Sequence, residues 1–574
     1  MAKKDINALY DVQKFSTIDE MLKLAAEENG DNIAFKFKKK DNVIHAVTYS
    51  QFEEETGAIA AELEKYEKMH IACIGENSYD WVTVFLAVLR SKDVFVPIDK
   101  ELKIDDILNI VNNSDSEVMF CDASFENLFR ANIDKMPDIK RFYVFGRKVD
   151  DGKFFSYEKF KRECLEGYEG YSAAPHDDNE LKYLVYTSGT TGMAKGVMLS
   201  EHNIVSCVYY GLQVSRVYDC CLSILPYHHT YEAVCGILVS LHKRATICIN
   251  DSLRNIVKNL KVYKPSYIFV VPMVAEMFHK RILSVMEQNN KLDDFKKGVK
   301  ISNALRKIGI DKRTKIFAQI HETFGGRLKK IVCGGAPVRP ETIKFFDDIG
   351  VILINGYGIT ECSPLVAANR EENNDFYSAG KQLPCIEVKM EDVNPDGIGE
   401  ICVKGDTIML GYYKNEAATK DALRDGWFYT GDYGRINERG NLAITGRKKN
   451  VIVLNNGKNV YPEEVEFLLD SSDLIKESLV YGDKDGNGSV YIRAIVLPDF
   501  DELKKKLEDE GKEYNEKNIK DVYMQEITRI NEKMPPFKMI KHFTIRKSEF
   551  DKTSSKKIKR FSDLNKPGEE DING

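Results

Sequence analysis

The stretch His70–Ile98, HIACIGENSYDWVTVFLAVLRSKDVFVPI, contains the pattern that decides the fold class. Ile71–Ile74 is an apolar run of strand length, Asn77 and Ser78 are suited to cap a helix, and an amphipathic segment follows them. A second apolar run of strand length, Val94–Ile98, comes next. A strand, a helix and a strand in this order predict a βαβ unit, whose two strands run parallel.

Short runs rich in β-branched and aromatic residues recur after this unit, and helical patterns follow several of them. These runs are Val118–Cys121, Phe142–Phe145, Leu184–Thr187, Tyr267–Val271, Ile331–Cys333 and Val351–Ile354. We therefore predict an α/β fold with a large N-terminal body of wound α/β subdomains.

The pattern changes twice toward the carboxyl end of the chain. Between about 400 and 447, short runs broken by glycines indicate an antiparallel, turn-rich subdomain. Beyond it, Val451–Leu454 and Val490–Val496 are predicted strands, Pro462–Leu469 a helix, and Glu502–Met534 a charged helical stretch. We predict an N-terminal body over residues 1–447, with a small β-barrel-like subdomain at about 365–447. A small mobile α+β lid domain is predicted over 448–574.

Charge and composition exclude several classes of protein. The 574 residues include 83 basic and 89 acidic ones, so the net charge of −6 offers no excess of positive charge to a nucleic acid. No apolar run predicts a transmembrane segment, and the amino-terminal residues do not form a secretion signal. Twelve scattered cysteines without a CxxC pair fit reduced thiols, which predicts a cytoplasmic protein. Peripheral contact with a lipid surface is left open.

The segment Tyr186–Leu199, YTSGTTGMAKGVML, has the composition of a loop that binds polyphosphate. Its glycines let backbone N–H groups approach anionic oxygens, its hydroxyls donate hydrogen bonds, and Lys195 adds positive charge. A Walker A loop has glycine before its lysine and serine or threonine after it, but Ala194 and Gly196 occupy these positions. The loop is therefore not a Walker A loop; alone, it would also fit a generic Ser/Thr/Gly turn.

This loop and six further motifs resemble, in chain order, those of the adenylate-forming superfamily of acyl-CoA synthetases, luciferases and peptide-synthetase adenylation domains. The loop differs from the family's YTSGTTGxPKGV pattern only in Ala194, which replaces proline. The further motifs are PYHHTYE (226–232), GGAP (334–337), NGYGITECSP (355–364), YTGD (429–432), GRKK (446–449) and KTSSKKIKR (552–560).

The resemblance implies a reaction with ATP, Mg²⁺ and coenzyme A. A carboxylic acid is activated as an acyl-adenylate with release of pyrophosphate, and the acyl group then passes to CoA with release of AMP. The HHT segment and the chain length favour a medium-chain or long-chain fatty acid. Two alternatives stay open: transfer to a separate acyl carrier protein, and a catalytically silent AMP-binding module, since Lys556 replaces a glycine of the last motif.

The resemblance also implies which residues bind the nucleotide. Phosphates, base and ribose each have their own group of residues. The phosphate residues are Thr187, Ser188, Gly189, Thr190, Thr191, Gly192 and Lys195; those at the adenine are Gly334, Gly335, Ala336, Tyr357 and Gly358, with Tyr357 stacked on the base; those at the ribose are Asp432 and Arg447.

Catalytic roles are implied for four residues. Glu361 is the implied Mg²⁺ ligand, Thr360 precedes it in the same motif, and His229 is expected near the carboxylate or adenylate. Lys557 rather than Lys556 is the implied catalytic lysine, because residues 558–560 then fit the register of the family pattern. Lys449 occupies the position of the hinge about which the lid domain rotates.

Overall fold

The computed structural model describes residues 8–39, 42–187, 194–486, 488–553 and 557–574. The chain divides into two compact units. The first comprises the chain up to Val388, together with Val403–Phe428 and Glu438–Leu442, and the second comprises Lys389–Cys402, Tyr429–Asn437 and Ala443–Gly574. The predicted domain boundary after Arg447 and the mobility of the lid domain stay predictions.

An eight-stranded sheet of the first unit contains the predicted βαβ unit. His70–Ile74 and Val94–Ile98 pair in parallel, and the helix Tyr79–Arg90 connects them. Ser78 caps this helix, because its side chain accepts a hydrogen bond from the backbone N–H of Trp81. In spatial order the strands are Gly411–Tyr412, Lys195–Ser200, Leu181–Thr187, Val94–Ile98, His70–Ile74, Ser116–Asp122, Arg141–Phe145 and Phe154–Ser156.

A nine-stranded sheet of the first unit presents the carboxyl ends of several parallel strands along one edge. In spatial order its strands are Lys381–Gln382, Leu365–Ala368, Ile352–Gly358, Lys330–Cys333, Tyr267–Val270, Cys220–Ser223, Thr246–Ile249, Ile33–Lys38 and Ile44–Thr48. All neighbours from Ile352–Gly358 to Ile33–Lys38 pair in parallel. Ligands of wound α/β sheets bind beyond such carboxyl ends, so this edge is where a site is expected.

Helices cover these sheets in the first unit. One π-helix, Tyr231–Leu238, begins within the PYHHTYE motif. The α-helices are Ile18–Asn29, Tyr49–Leu63, Tyr79–Arg90, Ile104–Asn113, Ala123–Arg130, Tyr157–Leu165, Glu201–Val214, Val239–His242, Ile256–Tyr263, Pro272–Gln288, Leu292–Lys307, Arg313–Ile316, Ala318–Thr323, Pro340–Ile349 and Glu416–Ala422. No helix formed by the described residues has both the length and the apolar character needed to cross a membrane.

The glycine-rich region that was predicted as antiparallel forms a five-stranded sheet. Its strands are Ile386–Glu391, Gly399–Gly405, Trp427–Ile436, Leu423–Arg424 and Leu442–Arg447. Leu423–Arg424 and Trp427–Ile436 pair antiparallel, and Leu442–Arg447 adds to the latter. Within the described residues, the strand order does not close into a barrel.

The remainder of the second unit is a small α+β assembly, as predicted. It contains a four-stranded mixed sheet, a pair of short strands and three helices. The sheet is formed by Ile475–Lys484, Val490–Pro498, Ile540–Ile545 and Ile572–Asn573, and the short pair by Ile452–Val453 and Asn459–Val460. The helices are Pro462–Leu469, Phe500–Asp509 and Glu516–Asn531. The predicted helical stretch Glu502–Met534 is thus two helices. Gly511 separates them in the left-handed region at φ 64°, where the N–H of Lys512 bonds the carbonyl of Leu507 at 2.8 Å.

Candidate active site

The predicted phosphate loop joins two antiparallel strands of the eight-stranded sheet. Ser188, Gly189, Thr190, Thr191 and Gly192 lie outside the described residues. On either side of them, Thr187 ends one strand, Lys195 begins the next, and the two residues are paired. A Walker A loop leads from a strand into a helix, so the strand that begins at Lys195 agrees with the exclusion of that loop.

Tyr412 connects the lysine of this hairpin to the predicted metal ligand. Gly411–Tyr412 pairs antiparallel with Lys195–Ser200, and the Tyr412 ring lies under the Lys195 ammonium, whose Nζ is 4.8 Å from the ring centroid. The Tyr412 hydroxyl donates a hydrogen bond of 2.9 Å to Oε1 of Glu361. Lys195 and Glu361 therefore both contact one tyrosine, Lys195 at its ring and Glu361 at its hydroxyl, and the sequence did not predict this tyrosine.

A tight turn fixes the direction of the Glu361 carboxylate. The 3₁₀ turn Thr360–Cys362 follows the strand Ile352–Gly358, and the N–H of Ile359 bonds the carbonyl of Pro364 at 2.8 Å. The carbonyl of Glu361 accepts a hydrogen bond of 2.9 Å from the N–H of Met409. Glu361 is half-buried, with its carboxylate oxygen Oε1 held by Tyr412. A carboxylate of this kind fits one ligand position of a hard cation such as Mg²⁺.

Gly358 is required where this turn begins. A Cβ atom at this position would lie 2.3 Å from the carbonyl oxygen of Pro364, a backbone atom that cannot rotate away. The glycine that was predicted to line the adenine therefore also has a packing reason to be glycine.

The predicted adenine residues lie at or just beyond the carboxyl ends of two adjacent strands of the nine-stranded sheet. Gly334 follows Lys330–Cys333 directly, and Tyr357, which is buried, is near the end of Ile352–Gly358. Gly335 has a φ of 86°, which favours glycine, and Ala336 follows it. The structure thus brings these residues to the edge at which wound α/β sheets bind ligands.

Tyr231 connects the histidine segment to the same edge. Its hydroxyl donates a hydrogen bond of 3.0 Å to the carbonyl of Val332, and a Cβ atom at Gly334 would lie 3.1 Å from its ring. His229 lies two positions before the π-helix Tyr231–Leu238, and its carbonyl accepts a hydrogen bond from the N–H of Glu232 at 3.1 Å. π-helical turns occur frequently at functional sites, and the position of His229 near the carboxylate or adenylate stays a prediction.

Glu232 is a buried acid in this π-helix. Its Oε1 accepts a hydrogen bond of 2.5 Å from the Ser223 hydroxyl, and its carboxyl packs where Gly236 has no side chain. Burial raises the pKa of Glu232 to about 8, against the opposing effect of the Ser223 hydrogen bond. The carboxyl group is therefore mostly protonated at pH 7 and adds little charge to this apolar segment.

Within the second unit, the two residues predicted at the ribose form an ion pair. Nε of Arg447 lies 2.8 Å from Oδ1 of Asp432, and Asp432 is buried. The backbone N–H of Asp432 donates to the Thr430 hydroxyl at 3.0 Å, and that hydroxyl donates to the carbonyl of Ile401 at 2.8 Å. A carboxylate fixed in this way is suited to accept hydrogen bonds from vicinal hydroxyls.

Lys557 lies in a closed loop of the second unit. The N–H of Thr553 bonds the carbonyl of Lys557 at 2.8 Å, and Lys552 and Ile558 form an antiparallel bridge. Desolvation lowers the pKa of the Lys557 ammonium, Arg447 lowers it further, and Asp432 opposes them. Lys556, the competing residue, lies outside the described residues.

Arg560 anchors this loop, a role that the motif alone did not indicate. Its guanidinium donates to Oε2 of Glu466 at 2.5 Å and to the carbonyl of Val480 at 2.7 Å. Ile558, two positions earlier, packs against a small apolar cluster. Lys449, the predicted hinge, is exposed in the 3₁₀ turn Lys448–Asn450.

Two family models match this chain. The model of AMP-binding enzymes matches residues 22–413, and the model of the AMP-binding enzyme C-terminal domain matches residues 449–566.

Similar proteins include two relatives and a solved structure. The chain is 26% identical over 522 residues to fatty acyl-CoA synthetase B of Dictyostelium discoideum, covering 83% of this chain and 76% of that protein. It is 28% identical over 535 residues to long-chain-fatty-acid–CoA ligase 1 of Cavia porcellus, covering 87% and 75%. The anthranilate CoA ligase AuaEII, solved in complex with anthranoyl-AMP, has a TM-score of 0.75 at 19% identity, with 96% and 97% of the two chains covered. At this identity the structural likeness establishes the fold.

Proposed function

We propose that this chain, which belongs to the AMP-binding enzyme family and is an AMP-forming acid–thiol ligase, activates a medium-chain or long-chain fatty acid and transfers it to CoA. The observation that carries the choice of acid is the alignment of 83% and 87% of the chain with two relatives named as fatty acyl-CoA ligases. The family establishes binding of the adenine nucleotide, while Mg²⁺ and CoA are part of the proposal.

In the first half-reaction, the barrier comes from repulsion between the negative charges of the carboxylate and of ATP rather than from weak nucleophilicity of the carboxylate. A carboxyl group with an ordinary pKa of about 4 is ionised at pH 7, so it can attack the α-phosphorus of ATP without a general base. We assign Lys195 and the hydroxyls of the hairpin to the phosphates, where they offset negative charge. Glu361, oriented by Tyr412, would hold Mg²⁺, which when bound supplies further positive charge to the phosphate oxygens.

The second unit contributes the remaining groups of the proposal. Asp432 accepts hydrogen bonds from the ribose hydroxyls, and Arg447 keeps the carboxylate in place through their ion pair. Lys557 adds positive charge during adenylate formation. Rotation at Lys449 then withdraws Lys557 and opens a path for the CoA thiol.

A panel of acids tests the proposed substrate. The purified full chain is supplied with ATP, Mg²⁺, CoA and one acid at a time: acetate, benzoate, octanoate, palmitate or oleate. We expect AMP to form fastest with octanoate or one of the longer acids. Preference for acetate or benzoate would reject the fatty acid assignment while leaving the family membership intact.

The acceptor is tested in the same assay. CoA is replaced by a holo-acyl carrier protein, and the rate of AMP release is compared at equal thiol concentration. We expect CoA to accelerate AMP release and the carrier to have little effect. The reverse result would favour the carrier-protein ligase, and the absence of AMP and pyrophosphate with every acid would favour the silent binding module.

Removing the Tyr412 hydroxyl tests whether this tyrosine positions Glu361. Tyr412→Phe keeps the ring beneath Lys195 but loses the hydrogen bond to the carboxylate. Because a hydrogen bond to a charged group contributes about 1.5–3 kcal/mol, we expect kcat/KM for ATP to fall at least about tenfold. The measurement is the initial rate of pyrophosphate release at several ATP and Mg²⁺ concentrations.

The adjacent tyrosine provides a matched control. The Tyr413 hydroxyl also donates to a carboxylate, that of Asp115, at 2.7 Å, but this pair is not among the predicted site residues. Tyr413→Phe is therefore expected to leave kcat/KM unchanged. Equal losses in the two variants would mean that the Tyr412 hydroxyl acts only through stability.

A further inference from the structure

Two successive helices of the first unit expose apolar side chains that are not among the predicted site residues. Pro272–Gln288 and Leu292–Lys307 pack onto the core of the first unit through Ile282, Phe295 and Val299. The Phe295 ring lies 5.3 Å from that of Phe317, which fixes the inward direction of the second helix. The side chains on the opposite face of that helix therefore point to solvent.

The outward faces of both helices contain large apolar residues at helical spacing. Met273, Met277 and Val285 are exposed on the first helix, at intervals of four and eight residues, which place them on one stripe. Ile301 and Ile308, 58% and 70% exposed, lie seven positions apart on and just after the second helix, again on one face. Single exposed apolar residues are ordinary, but Ile301 and Ile308 lie on one face and each is more than half exposed, which indicates an interaction surface.

Exposed basic residues lie near the two isoleucines in the sequence. Lys296, Lys297, Lys300 and Lys307 are exposed on the same helix. Within the part of the chain that the structure describes, no ion pair includes Lys296, Lys300 or Lys307, and Lys297 reaches only Asp294, at 3.9 Å. The charges of Lys296, Lys300 and Lys307 are therefore available to an external partner.

Positive charge is concentrated in this part of the chain. Residues 291–316 include nine basic and three acidic residues, a net charge of +6 in a chain whose total is −6, and two of the nine, Arg306 and Arg313, pair with Asp347 outside this range. A local charge opposite in sign to that of the whole protein indicates an anionic partner.

We propose that the surface formed by Ile301, Ile308 and these four lysines, here called the basic–apolar face, docks the protein on an anionic lipid bilayer. Lysines whose stems lie along apolar surface while their ammonium groups reach lipid headgroups are suited to a membrane interface. A nucleic acid would use the lysines but not the isoleucines, and so fits the face less well. The docking itself does not depend on the proposed function. One consequence of the docking, that fatty acids dissolved in the bilayer reach the enzyme there, rests on the proposed function.

Vesicle sedimentation tests the docking with the full chain. Sucrose-loaded vesicles of phosphatidylcholine alone are compared with vesicles that also contain phosphatidylglycerol. We expect binding to the anionic vesicles, weak binding to the neutral ones, and a decrease of binding as salt is raised.

Two variants separate the apolar and the charged contributions. Ile301→Ser combined with Ile308→Ser is expected to lower the partition coefficient on anionic vesicles roughly tenfold or more, because two large side chains no longer enter the interface. Lys296→Gln, Lys300→Gln and Lys307→Gln together should lower it as well and reduce its salt dependence. Val149→Ser, which changes an apolar residue that is 69% exposed elsewhere in the first unit, is the matched control and should bind as the parent chain does.

Several outcomes would overturn the proposal. One is equal binding of the parent chain and the isoleucine variant, with unchanged melting temperatures. Others are concentration-dependent self-association in ultracentrifugation that the isoleucine variant abolishes, and tighter binding to an RNA probe than to anionic vesicles. If the chain binds anionic vesicles but does not prefer a fatty acid in the panel of acids, the proposed function is rejected and the docking surface is kept.

Discussion

Lys557→Ala is expected to slow acyl-adenylate formation by roughly a thousandfold while ATP affinity changes little, because removing a preorganised electrostatic donor costs two to three orders of magnitude. Desolvation and Arg447 lower the pKa of this ammonium, while Asp432 raises it, so a negative charge nearby stabilises its protonated form. A phosphate group would act in the same direction as Asp432. The measurement is single-turnover release of pyrophosphate, with ATP affinity determined separately by calorimetry.

The two half-reactions distinguish loss of this charge from loss of folding. Lys557→Ala supplied with synthetic acyl-adenylate should still transfer the acyl group to CoA at near the parent rate. Lys556→Ala is the matched control and should retain adenylate formation. If Lys556→Ala loses this activity and Lys557→Ala keeps it, the register that we assigned is shifted by one residue.

The direction of the Lys557 pKa shift also predicts a pH dependence. An ordinary lysine loses its proton near pH 10.4, and a lowered pKa moves this loss to a lower pH. The rate of adenylate formation should therefore decline on the alkaline side earlier than an ordinary lysine would allow. The rate of thiol transfer from synthetic acyl-adenylate, corrected for ionisation of CoA, should not share this decline.

Local sequence pattern was sufficient to predict most of the secondary structure that positions the site. The strand Val94–Ile98 and the helix Pro462–Leu469 have the predicted bounds, since a β-branched run and a proline at the first helical position are local signals. The hairpin that flanks the phosphate loop is consistent with the glycine and hydroxyl content of Tyr186–Leu199. The break at Gly511 had a local signal as well, since glycine is common just after the end of a helix, but the predicted helical stretch Glu502–Met534 ran through it.

Contacts between distant parts of the chain could not be predicted in this way. Tyr412 is 51 positions from Glu361 and belongs to a different strand, and only the pairing of Gly411–Tyr412 with Lys195–Ser200 brings it to both Lys195 and Glu361. The exposure of Ile301 and Ile308 could likewise not be predicted from the sequence, because apolar residues at helical spacing ordinarily indicate a buried face. Periodicity identifies a face but does not say what covers it.

Glu361→Gln is expected to lower kcat/KM for ATP by roughly a hundredfold to a thousandfold and to raise the Mg²⁺ concentration needed for half-maximal rate. Glutamine keeps the length of the side chain and an oxygen that can accept the 2.9 Å hydrogen bond from Tyr412, so the substitution removes mainly the negative charge. A neutral amide oxygen is a weaker ligand for Mg²⁺ than a carboxylate oxygen. The measurement is the initial rate as a function of Mg²⁺ at fixed total ATP.

Comparison with Tyr412→Phe separates the effect of the Glu361 charge from the effect of the position of its carboxylate. Tyr412→Phe leaves the Glu361 carboxylate charged but less fixed, so its loss should be smaller and its Mg²⁺ dependence closer to that of the parent. Glu387→Gln, which neutralises an exposed carboxylate on the strand Ile386–Glu391, should change neither quantity. If Glu361→Gln lowers the rate with an unchanged Mg²⁺ dependence, the carboxylate acts on the protein around it rather than on the metal. The metal assignment would then be wrong, because the charge of a ligand cannot be removed without weakening the hold on its cation.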